Sequence, residues 1–144
     1  MVTKKERLER LGEVRLFREL TRGDVRELED IGKVVHHPAG RTIIEEGQTG
    51  AGFHLVLDGM ARVLRAGRTV ARLGPGEFFG EIALIDGGPR TATVVADSAL
   101  TTLSIAGWDF RAVVKQRPTM AWSLLVHVTA RLREAQKRED ALRA

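Results

Sequence analysis

A carboxylate and a guanidinium share one short stretch of this chain. Glu81 stands in Phe79-Gly80-Glu81-Ile82-Ala83-Leu84 and Arg90 in Pro89-Arg90-Thr91-Ala92-Thr93-Val94. An ionised carboxylate only accepts hydrogen bonds, so Glu81 suits the hydroxyls of a sugar. An arginine fork grips a phosphate through two parallel bonds. A ligand that carries a sugar and a phosphate side by side would satisfy both. The apolar residues between them and the Gly87-Gly88 turn read as a short helix and a tight bend. Singly, Glu81 reads as a helix-start acid and Arg90 as a solvated side chain. The whole string, with its spacing, does not read that way.

Competing chemistries find little support. The chain has no cysteine, hence no disulfide, thiolate metal site or cysteine nucleophile. Gly74-Pro75-Gly76 with Gly80 misses the dinucleotide glycine spacing, and no phosphate loop of the G-x-x-x-x-G-K type exists. His36, His37, His54 and His127 lack ligand spacing, so no metal is expected. Adjacent His36 and His37 would point to opposite faces of a strand. No nucleophile elbow surrounds Ser98, Ser104 or Ser123. The chain reads as no enzyme.

The string resembles the phosphate-binding cassette of the cyclic nucleotide-binding domain family. A second stretch is similar to that family's other signature: Ile43-Ile44-x-x-Gly47-Gln48-x-Gly50, then Phe53 to Val56 and Gly59. Leu16-Phe17, before Thr21, matches a Leu-Phe pair of the family. His54 departs from the pattern, where the family has an apolar or aromatic residue; it either faces outward or hydrogen-bonds within the core.

The resemblance covers nearly the whole chain and implies a ligand-binding set. That set is Phe79, Gly80, Glu81, Ile82, Ala83, Leu84, Pro89, Arg90, Thr91 and Ala92, with Arg131 and Gln136 from the last helix. Backbone N–H groups of Gly80 to Leu84 would face the phosphate. Glu81 would take the ribose 2′-hydroxyl and Arg90 the exocyclic phosphate oxygens. Thr91 would add its hydroxyl, and small Ala83 would let the ligand approach. Ile82, Leu84 and Val94 would pack the cassette on the barrel. The implied ligand is a cyclic nucleotide. Thr91 is compatible with cGMP, yet relatives of the bacterial type with Arg-Thr here are mostly read as cAMP proteins, and cAMP is the expectation.

These residues need a scaffold. Leu8, Leu11, Val14 and Leu16-Phe17 recur at helical spacing, and Thr21 with Asp24 reads as a capped second helix start. Seven β-rich segments follow between glycines: Val34–His37, Arg41–Glu45, Phe53–Leu57, Ala61–Arg65, Thr69–Leu73, Thr91–Ala96 and Leu100–Ile105. The fold expected is mainly β with flanking helices, a jelly-roll β-barrel. A single domain is expected: N-terminal helices over 1–33, the barrel over 34–105 with its cassette at 79–94, and C-terminal helices over 106–144. A short helix around Trp108 should end before Pro118, and a long one should run from about Thr119 to near Arg143.

Along that last helix Ala121, Leu125, Val128, Leu132, Ala135 and Leu142 alternate by fours and threes, broken at Glu139. A homodimer through this seam is expected. No apolar run approaches the roughly 20 residues that span a bilayer, and the charged start is no signal peptide. No membrane association and a cytoplasmic location are the expectations. Net charge is +4 and the charges are interspersed, which fits an anionic ligand but no polyanion tract. The chain stops at Ala144, so no DNA-reading module and no sequence-specific DNA binding are expected of it. The reading is a regulatory or sensor domain. The effector domain of a cAMP receptor-type transcription regulator and a degenerate-pocket module that contacts other proteins both stay open.

Overall fold

The computed structural model describes residues 2–14, 17–18, 20–48, 52–80 and 88–143. Two short helices come first, α1 (Lys4–Glu13) and α2 (Arg22–Ile31). Thr21 accepts from the Asp24 N–H at 3.1 Å, and the Asp24 carboxylate accepts from the Thr21 N–H at 3.3 Å. This reciprocal box satisfies two donors that a helix start otherwise leaves open. Arg7 binds Glu29 through Nε and Nη2, at 3.0 and 2.8 Å, and so pins α1 to α2.

Among the described residues eight strands follow: β1 (Lys33–His37), β2 (Thr42–Ile44), β3 (Gly52–Asp58), β4 (Ala61–Arg65), β5 (Arg68–Leu73), β6 (Phe78–Phe79), β7 (Thr93–Ala96) and β8 (Leu100–Ala106). They make two antiparallel four-stranded sheets, ordered β1-β8-β3-β6 and β2-β7-β4-β5. Helices α3 (Gly107–Gln116) and α4 (Pro118–Arg143) close the chain. The jelly roll with flanking helices is thus present. All seven expected strands occur, with ends shifted by up to two residues. β6 is an eighth, beyond the sequence reading.

Strand β3 is buried on both faces and separates two cores. Phe53, Leu55 and Leu57 point to the helices, where they meet Leu11, Phe17, Leu28, Phe110 and Met120. Phe53 is the hub, 4.7 Å from Phe110, 5.3 Å from Phe78 and 5.6 Å from Phe17 between ring centroids. Val56, on the other face, joins Ile44, Phe79, Val94 and Leu100 inside the barrel. Alternation along the strand assigns each residue to its core.

Only the first turns of α4 are anchored in the core, through Met120 and Leu124. Arg117, just before it, forms ion pairs with Asp24 and Glu27 on α2. From Thr129 to Arg143 every residue is exposed. The expected seam lies on this helix: Leu125, Val128, Leu132 and Leu142 are solvent-facing.

Candidate functional site

Gly80 and Arg90 form the centre of the site. Arg90 is only 9% exposed, and its Nη1 donates to the Gly80 carbonyl at 3.1 Å. Its backbone is fixed on both sides: Arg90 N–H donates to Gln48 O, and Gly47 N–H to Arg90 O, each at 2.9 Å. The guanidinium therefore stands on a backbone tied to the β2–β3 connection, which is where the second sequence signature lies. Gly80 has φ of +94°, a region open to glycine and strained for other residues.

Phe78 and Phe79 deliver this turn. Phe79 lies opposite His54 in the β3–β6 pairing, with ring centroids 4.9 Å apart and planes at 21°. Phe78 faces the other way, between Phe53 and His127 of α4, 4.9 Å from the latter. The two adjacent rings thus tie the barrel interior and the last helix to Gly80.

A cavity of about 480 Å³ opens here, a volume that suits a small ligand. Barrel strands, the Phe78–Gly80 segment and α4 line it. Phe79, Gly80, Arg90, Thr91, Ala92 and Arg131 of the expected set are among its lining residues. Pro89 and Gln136 are not. Along a helix of 3.6 residues per turn, Gln136 lies about half a turn from His127, whereas Arg131 and Arg138 share the His127 side. Arg138, which the sequence reading passed over, lines the cavity in place of Gln136. Glu81, Ile82, Ala83 and Leu84 lie outside the described residues, as does Leu16. Arg65, Arg90, Arg131 and Arg138 set against Glu77 make the described lining cationic, which favours an anion.

His54 lies inside the barrel and hydrogen-bonds there. Its Nδ1 meets Ser104 Oγ at 2.8 Å, Ser104 meets Thr102 Oγ1 at 3.0 Å, and Thr102 meets His37 Nε2 at 3.1 Å. Burial pushes the His54 pKa down to about 4, helped by the Arg90 and His37 charges. His37 is lowered too, by burial and then by Arg41 and His36. His36 points outward to Thr101 at 3.1 Å while His37 is buried, the opposite-face arrangement that a strand imposes. Among the described residues no three His, Cys, Asp or Glu side chains cluster to hold a metal, and no helix is long and apolar enough to cross a membrane.

The comparison with known proteins agrees with this architecture. The family model for the cyclic nucleotide-binding domain matches residues 34–117. The chain belongs to the cyclic nucleotide-binding domain family. Over 111 residues it is 37% identical to the cyclic AMP receptor protein of Thermus thermophilus, covering 74% of this chain and 51% of that protein. The crystal structure of the Thermus thermophilus catabolite activator protein superposes with a TM-score of 0.82 at 34% identity, over 89% of this chain and 62% of that one. The N-terminal domain of a transcriptional regulator from Streptomyces coelicolor gives a TM-score of 0.72 at 32% identity, over 90% and 94%. The chain thus spans about half the length of the Thermus receptor.

Proposed function

We propose that this chain is a non-catalytic sensor domain that binds a cyclic nucleotide, cAMP in preference to cGMP, and reports it through α4. The observation that carries this is Arg90. A buried guanidinium, backbone-tethered and oriented by the Gly80 carbonyl, faces a cavity whose charged lining residues are mainly cationic. In this reading Arg90 grips the cyclic phosphate and Thr91 adds its hydroxyl. Glu81 takes the ribose 2′-hydroxyl, and Ile82, Ala83 and Leu84 complete the ligand-binding set. Arg131 and Arg138 approach from α4. The name of the Thermus relative, a cyclic AMP receptor, supports cAMP. Residues 1–144 act as one domain, as a homodimer through the exposed seam of α4.

Calorimetric titration with cAMP and cGMP tests this. Binding of cAMP tighter than cGMP is expected. Tighter cGMP would reverse the choice of base, and no binding of either would favour a degenerate pocket that only contacts proteins. A second reading, the effector portion of a transcription regulator, is favoured by one observation. The chain covers 94% of a solved N-terminal domain of such a regulator.

A further inference from the structure

We propose that His54 is a positioning residue for the phosphate site: its ring, stacked on Phe79, fixes the Gly80 carbonyl that orients the Arg90 fork. This rests on the reading of the cavity as a nucleotide site. Three contacts in series carry the inference. His54 and Phe79 are direct partners across the β3–β6 pair, with rings 4.9 Å apart and nearly parallel. Gly80 follows Phe79 in the chain, and its carbonyl accepts from Arg90 Nη1 at 3.1 Å. Beneath Gly80 lies the backbone of Gly52, at the start of the same strand as His54. A displacement of Phe79 would be passed along the chain to Gly80, whose carbonyl accepts from the guanidinium.

The ring is itself held. Ser104, Thr102 and His37 form one continuous hydrogen-bonded chain to His54 Nδ1 across β3, β8 and β1. Such chains restrict the orientation of each member more than an isolated bond does. They also meet the polar need of an imidazole placed where an apolar ring would have none. His54 stays neutral there and adds no second positive charge beside Arg90.

Two measurements test the assignment. The first is a double-mutant cycle on cAMP affinity with His54→Ala, His54→Phe and Arg90→Lys. His54→Ala should weaken cAMP about tenfold, and much less in the Arg90→Lys background, because interacting sites are not additive. His54→Phe keeps a stacking ring and should stay within about threefold of wild type, a non-disruptive control for folding. The second is the Arg90 side-chain Nε–H resonance in the ligand-free protein, which His54→Ala should shift and His54→Phe should largely preserve. Equal affinity losses in both backgrounds, or an Arg90 resonance unmoved by His54→Ala, would overturn the proposal. If the wild type bound no cyclic nucleotide, the binding reading would fail, and the ligand-free resonance would still decide the role of His54.

Discussion

Gly80 rests so closely on Gly52 that a methyl group built on its Cα would stand 2.2 Å from the Gly52 carbonyl oxygen. The obstacle is backbone, which has little room to give. A positive φ adds a second penalty for any side chain. Gly80→Ala should therefore destabilise the fold by ~2–4 kcal/mol and displace the Arg90 acceptor. Thermal melting and cAMP titration should both register the change. Unchanged melting would show that the β6 turn shifts freely.

Arg90→Ala removes the one buried guanidinium of the cassette. Loss of a desolvated charge pair to phosphate should cost about 2–5 kcal/mol of nucleotide affinity. Calorimetry is the check, and affinity within a few-fold of wild type would place the phosphate elsewhere.

Helical phase separates two neighbours on α4. Arg138 lines the cavity and Gln136 does not. Gln136→Ala should leave affinity within about twofold, because exposed substitutions away from a site seldom exceed roughly 0.5 kcal/mol. Arg138→Ala should weaken binding and flatten its salt dependence, since exposed charge attraction is screened by ions. The reverse ranking would mean that α4 rotates on binding.

The apolar side of α4 predicts assembly. Leu125 is 59% and Leu132 57% exposed, and contiguous apolar surface marks a contact. The wild type should sediment as a dimer and Leu125→Glu as a folded monomer. A monomeric wild type at high concentration would refute the seam.

Acid should destabilise the fold through His54. Its folded pKa is near 4 against an ordinary 6.5, so between those values the unfolded chain binds a proton that the folded chain refuses. The associated stability is complete above pH 6.5 and drains away as pH falls towards 4, by roughly 3 kcal/mol at most. His37 is shifted in the same direction. Melting temperature should fall from pH 7 to 5 more steeply in wild type than in His54→Phe; matching slopes would contradict this.

Local chemistry made much of the scaffold legible. Thr21 and Asp24 announced α2 because a capping box is written within four residues, and alternation between glycines announced the seven longer strands. Phe78-Phe79 escaped because two apolar residues carry no period. Only pairing with Leu55 and His54 makes them a strand. The side taken by His54 was undecidable for the same reason, since a strand has two faces and its partners choose the core. Gln136 was placed by the resemblance, which aligns position along the chain. Counting gives distance along a helix, whereas the cavity selects by angle around it. Arg138 carried no signal beyond that angle.

From Thr129 to Arg143 α4 has no buried residue. Isolated helices of that length are marginal in water, so this segment borrows its order from whatever lies against it. Arg131 and Arg138 belong to the borrowed part and line the cavity. A nucleotide held by those arginines and a second subunit on the neighbouring stripe would thus draw on one helix–coil equilibrium. Each would strengthen the other by the same factor, so apparent nucleotide affinity should rise with protein concentration.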